Sequence, residues 1–178
     1  MNNSELLPEV ARFNVEAMSA KSIPDGYDSL IPYLVTSNAA KAIEFYKAVF
    51  GATEIMRMSP PGSDKVAHAE IKIRNSVLML GDECPQSGAV APSPNSKAHS
   101  TGVMIYVPDV DATFKKAVEH GATPAMPPTE MFWGDRYGKF VDPFGHQWSV
   151  ATHTRDVSPE ECAKAMAEWS KQHQPAAV

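Results

Sequence analysis

The pattern of apolar and polar positions occurs twice along this chain. Residues 31–53, IPYLVTSNAAKAIEFYKAVFGAT, pass from an apolar run through a polar break into a segment of helical periodicity, then close on Gly-Ala-Thr. Residues 102–123, GVMIYVPDVDATFKKAVEHGAT, do the same. The stripe expected to be buried is Ala42, Tyr46, Val49 and Phe50 in the first copy, and Val110, Phe114, Ala117 and Val118 in the second. Gly51 and Gly121 fall where a helix ends on a left-handed residue, which only glycine adopts cheaply. Self-similarity on this scale predicts a duplicated structural unit.

Strand-like runs follow each helix. The first copy supplies TEIMRMS, VAHAEIKI and SVLMLGD, the last two joined by a tight Arg74-Asn75 hairpin. The second supplies a Pro-interrupted edge (ATPAMPP), then DRYGKFVD and HQWSVATH, joined by the turn Asp142-Pro143-Phe144-Gly145. Each unit is thus β-α-β-β-β. One such unit covers a single face of its sheet and leaves the other bare. The expected fold is α+β: two paired βαβββ modules forming a curved, partly open mixed sheet with helices outside. The concave side is then the natural ligand site.

The expected boundaries are module one at 29–82, a Pro/Ser/Ala-rich linker at 83–100 and module two at 101–153. Both ends carry helical extensions. Within 1–28, Leu6, Val10, Phe13 and Ala17 have helical spacing before SIPDGYD breaks the pattern. Within 154–178, Ser158-Pro159-Glu160-Glu161 is a capping box, and Cys162, Ala165, Met166 and Trp169 form an apolar stripe.

Charge and composition narrow the partners. The 178 residues carry a formal net charge of −5, with no basic cluster to neutralise phosphates, so no nucleic-acid partner is expected. No apolar run is long enough to cross a bilayer, and no basic-then-apolar leader opens the chain, so neither a membrane partner nor secretion is expected. Cys84 and Cys162 lie far apart and read as free thiols of a cytoplasmic protein.

Strand parity places the candidate site residues. In VAHAEIKI, His68, Glu70 and Lys72 share one face, while Ala67, Ala69, Ile71 and Ile73 share the face that must meet a helix. In HQWSVATH, Trp148 and Val150 go to the core, and Gln147, Ser149, Ala151 and His153 go to the other side. Tyr33 joins them from the first strand. The loop EMFWGDRYG adds Phe132, Trp133 and Tyr137 around Asp135 and Arg136, offering stacking surface and a cation–acid pair to orient a ligand. The ligand-binding set is therefore Tyr33, His68, Glu70, Trp133, Arg136, Gln147 and Ser149. Each has a plainer reading. His68 and His146 serve as hydrogen-bonded structural histidines, Glu70 as a salt-bridged strand residue, and Asp135 and Arg136 as an exposed pair of little energetic value.

The duplication, the stretches IPYLVTSNAAKAIEFYKAVFGA and VAHAEIKI, and above all WGDRYGKFVDPFGHQWSVATH resemble the glyoxalase/bleomycin-resistance/dioxygenase group, the vicinal oxygen chelate (VOC) superfamily, and within it the PhnB-like branch. Metal-using members of that group place one ligand on the first and one on the last strand of each module. Counting onto this chain gives Ile31 or Pro32, Met79, Gly102 and Ser149, none of them an ordinary ligand for a divalent cation. The resemblance implies the fold and a homodimer; together with the replaced ligand positions it leads us to expect a small-molecule-binding protein of the PhnB-like or bleomycin-resistance kind, without metal or other cofactor. Two alternatives stay open. One is a metal-dependent lyase or isomerase of the glyoxalase kind, with ligands relocated among His68, Glu70, His146 and His153. The other is a non-catalytic dimeric interaction module. Whether the protein is an enzyme is not decided by these residues.

Overall fold

The computed structural model describes residues 20–96 and 98–172. The helix expected around Leu6–Ala17 lies outside the described residues. Two βαβββ modules follow one another. The first comprises β1 (Tyr33–Thr36), α1 (Ala39–Phe50), β2 (Thr53–Met58), β3 (His68–Ile73) and β4 (Ser76–Asp82). The second comprises β5 (Gly102–Tyr106), α2 (Val110–Glu119), β6 (Thr123–Glu130), β7 (Asp135–Val141) and β8 (Gln147–His153). A C-terminal helix, α3 (Pro159–Gln172), follows.

Each module forms a four-stranded mixed sheet of the same order, β1-β4-β3-β2 and β5-β8-β7-β6. The crossover through the helix makes the first and last strands of each module parallel, and the other pairs are antiparallel. The Pro-rich strand β6 takes an edge position and breaks register twice, as missing backbone donors require. Arg74 and Asn75 form the expected two-residue turn, with Arg74 at φ 57°.

Both helices start on the same device. Asn38 caps α1 by accepting from the Lys41 amide (2.9 Å), and Asp109 caps α2 by accepting from the Ala112 amide (2.9 Å). The end of each module's last strand adds a second acceptor. Asp82 takes the Ala39 amide at 2.7 Å, and Thr152 takes the Val110 amide at 2.9 Å. Gly51 (φ 67°) and Gly121 (φ 95°) close the helices in the positive-φ region.

The core lies between the helices and the two sheets. Helix α1 buries Ala39, Ala42, Ile43, Phe45, Tyr46 and Val49, more than one stripe. It has two surfaces to cover: its own sheet, and the aromatic cluster of module two. Phe45 meets Phe144 edge-on, Tyr46 meets Trp148 at 5.3 Å, and Phe50 lies between Trp148 (4.6 Å) and Phe140 (6.3 Å). Helix α2 has less to cover. It buries Val110 and Ala117 and packs Phe114, whereas Val118, expected in the stripe, is 39% exposed.

One polar group sits inside this cluster. Asp142, 2% exposed, accepts hydrogen bonds from the Tyr46 hydroxyl (2.8 Å), the Trp148 indole (3.0 Å) and the amides of Phe144 and His146 (2.9 Å each). Burial and the facing Asp142 carboxylate push the Tyr46 phenol well above its ordinary pKa, so it stays a donor. Removing that donor in Tyr46→Phe is expected to cost about 1–3 kcal/mol of stability in urea unfolding, because the buried carboxylate loses a partner that no water replaces.

Candidate functional site

The sheet faces turned away from the helices carry the candidate chemistry. On sheet one, the registered row is Tyr33, Met79, Glu70 and Met56; on sheet two, it is Met104, Ser149, Lys139 and Met126. The first-strand positions are therefore Tyr33 and Met104. They lie one or two residues beyond the expected Ile31 or Pro32 and Gly102. Gly102 pairs instead with Gln147. A phenol, two thioethers and a hydroxyl at these positions do not fit a divalent cation, which takes imidazole, carboxylate or thiolate.

The relocated set is also dispersed. His146 sends Nε2 to the Val35 carbonyl (3.0 Å), bonding backbone of the other module. His153 lies between two carboxylates at the far end of β8, and His68 and Glu70 stand together on β3. Among the described residues, no three His, Cys, Asp or Glu side chains form a group able to hold a metal ion.

Two polar clusters occupy the open faces. In module one, Glu70 is 7% exposed and both its oxygens are engaged. Oε1 faces His68 Nε2 at 3.2 Å, and Oε2 accepts from the Tyr27 hydroxyl. The His68 ring stacks on Tyr33, with centroids 5.7 Å apart and planes at 24°. The Tyr27 hydrogen bond, with His68 behind it, holds the Glu70 carboxyl below its ordinary pKa despite burial. Tyr33, His68 and Glu70 thus come together as parity predicted. Tyr27 was missed, because SIPDGYD reads only as a helix breaker.

In module two, Asp135 is 3% exposed and accepts from the Tyr106 hydroxyl (2.9 Å) and the Trp133 indole (3.0 Å), and it faces His153 Nδ1 at 2.9 Å. Tyr137 bonds Ser149 at 2.8 Å and packs edge-on to Trp133. Trp133 and Ser149 therefore belong to one cluster. Tyr106 was missed, although the parity argument applied to β5 would have placed it beside Met104. Asp135 and Arg136 do not pair with each other, since adjacent strand residues point to opposite faces. Arg136 turns to the helix side, where Asp111 of α2 holds it in a bidentate pair (2.6 and 2.7 Å) and raises its pKa. That side is remote from the open face, so Arg136 does not join the cluster. Gln147 lines a cavity of about 250 Å³ at the junction of the modules, with Tyr33 and Val103.

A larger cavity of about 410 Å³ opens between the β3–β4 hairpin and β5, bordered by Asp28, Arg74, Met104 and Tyr106. Its size falls within the roughly 300–1,000 Å³ usual for small organic ligands.

Sequence and structure comparisons accord with this geometry. Residues 28–150 match the Glyoxalase/Bleomycin resistance protein/Dioxygenase superfamily. The chain belongs to that superfamily. An uncharacterised Mycobacterium bovis protein is 42% identical over 143 residues, covering 78% of this chain and 92% of the relative. Among solved structures, a superfamily member from Sphaerobacter thermophilus matches with a TM-score of 0.52 at 22% identity, over 68% of this chain and 94% of that one. A PhnB protein from Bacillus cereus matches with a TM-score of 0.53 at 16% identity, over 70% of this chain and 99% of that one. Tyr27 and α3 both lie outside the residues matched to the superfamily.

The His153 environment has a pH consequence. Each ring nitrogen faces a carboxylate, Asp135 at 2.9 Å and Asp156 at 3.1 Å, so only the imidazolium can donate to both. These two partners, Asp135 first, raise its pKa above the ordinary 6.5. A raised folded-state value stabilises the protein fully below 6.5, and that contribution is lost as pH rises through the higher folded value. The stability difference between wild type and His153→Gln is expected to be largest in mildly acidic buffer and to shrink toward alkaline pH. Unfolding curves across pH, with an NMR titration of the His153 ring, measure it.

Proposed function

We propose that the protein is a metal-independent small-molecule-binding protein of the PhnB-like or bleomycin-resistance kind, holding a planar, partly polar organic ligand against its open sheet faces. The observation that carries this reading is the replacement of the chelating positions by Tyr33, Met79, Met104 and Ser149. What surrounds them suits recognition of an organic molecule. Tyr33, Met104 and Tyr106 are 49%, 44% and 54% exposed, supplying apolar and aromatic surface. Glu70, Asp135, Gln147 and Ser149 supply a few fixed hydrogen-bonding groups. In this reading the protein is cytoplasmic, in keeping with the free thiols Cys84 and Cys162.

We place a second copy of the chain over part of the same surface. Ile55, Met56 and Met58 of the edge strand β2 are 47%, 37% and 52% exposed, an apolar strip that a homodimer would cover.

Thermal-shift screening of planar aromatic compounds with and without EDTA tests the ligand reading. The expected result is a stabilising compound whose effect chelator leaves unchanged, with less than about a tenth of an equivalent of divalent metal in freshly purified protein. Stabilisation that appears only with added metal would overturn it. Light scattering after size exclusion is expected to give twice the chain mass at micromolar concentration, and Met58→Glu to shift the protein toward monomer.

A further inference from the structure

We infer that the open face of module one is a subsite for an aromatic hydroxyl, filled in the unliganded protein by Tyr27 of the chain's own N-terminal segment. This inference rests on the small-molecule reading above and names the ligand chemistry for one of its two clusters. Glu70 is a buried carboxylate whose Oε1 faces His68, leaving Oε2 for one incoming donor, and the donor it receives is a phenol. Beside it the stacked Tyr33 and His68 rings form an aromatic wall.

The segment that delivers Tyr27 is lightly held. Among the described residues, Tyr27 to Glu70 is the one hydrogen bond from residues 20–31 to the rest of the protein; the others there, Lys21 to Asp25 and the Tyr27 amide to Pro24, are internal. Ile23 and Leu30 are 47% and 87% exposed, so little apolar burial fastens the segment. Such a segment opens at small cost. Covering Glu70 Oε2 again with a group that offers it no donor is costly by comparison. The group that replaces Tyr27 must therefore donate a hydrogen bond, and an otherwise identical molecule lacking the hydroxyl is rejected. Tyr27 acts as an internal competitor, and a bound phenol releases the segment.

The probe is p-cresol, which reproduces the tyrosine side chain, with 4-methylanisole as the control lacking the donor. In wild type, p-cresol is expected to shift the His68 and Tyr33 ring resonances and to move those of Tyr27 toward solvent-exposed positions, while 4-methylanisole does neither. Tyr27→Phe, which keeps the segment but removes the competing hydroxyl, is expected to bind p-cresol about tenfold more tightly, as removing a competing state should. Glu70→Gln is expected to bind it at least tenfold more weakly. Equal binding of cresol and anisole, or cresol shifts confined to Trp133, Tyr137 and Ser149, would overturn the inference and leave the broader function standing. If no aromatic compound perturbs either face, both readings fail. The wild-type spectra decide the matter even if a variant does not fold.

Discussion

The arrangement of the whole molecule depends on a buried carboxylate. Asp142 begins the turn between β7 and β8, yet one of its donors, the Tyr46 hydroxyl, comes from helix α1 in the other module. Its remaining donors are the indole of Trp148 and two amides of its own turn. A charge taken out of water is tolerable only when its lone pairs are met, and here all its partners are fixed by independent constraints. The turn geometry presents the amides, the strand presents the indole, and the helix must dock at the right height to present the phenol. The hydrogen-bond network thus sets the docking of α1 on sheet two. The rings of Phe45, Phe50 and Phe144 then fill the space around it. Because the halves meet through helices and side chains and not by pairing β1 with β5, their open faces stay accessible.

The duplicated units reuse one frame with different chemistry at matching places. Asp82 and Thr152 stand at the same point of the frame and bind the first amide of their helices, one as a carboxylate and the other as a hydroxyl. Glu70 and Lys139 occupy corresponding places in the open-face rows, one against Met79 and the other against Ser149. The frame needs only a polar cap at the first position and, at the second, backbone pairing that Glu and Lys both allow. Chemical divergence between the halves is therefore found where backbone pairing is indifferent to the side chain.

This division explains what the sequence made legible. Helices, strands, the hairpin, the capping box and the Trp148 core position follow from periodicity and turn chemistry, which act over a few residues. The capping box forms with both of its bonds, the Ser158 amide to Glu161 and the Glu161 amide to Ser158. Parity likewise put Tyr33, His68 and Glu70 on one face. What local patterns could not carry was distance along the chain. Tyr27 reaches Glu70 across 43 positions, and Arg136 finds Asp111 across 25. The Asp135–Arg136 pairing expected from adjacency fails for a local reason that alternation itself supplies. The wide buried face of α1, which leaves only Lys41, Glu44 and Ala48 exposed, was hidden because periodicity describes one contact face, and this helix has two.

The extensions are best understood through the face they reach. The superfamily match spans residues 28–150, so Tyr27 falls one residue before it, and Asp156 and α3 lie beyond its end. Each nonetheless delivers a side chain to an open-face cluster: Tyr27 to Glu70, and Asp156 to His153. The C-terminal segment is fastened first, by the Gly134 carbonyl, which accepts from the Thr154 and Arg155 amides. Trp169 of α3 then approaches Phe132, the neighbour of Trp133, at 6.5 Å. Both extensions finish hydrogen-bonding groups on the side where the fold leaves room. The hydrogen bonding of the open faces is therefore completed by the ends of the chain as well as by the duplicated frame.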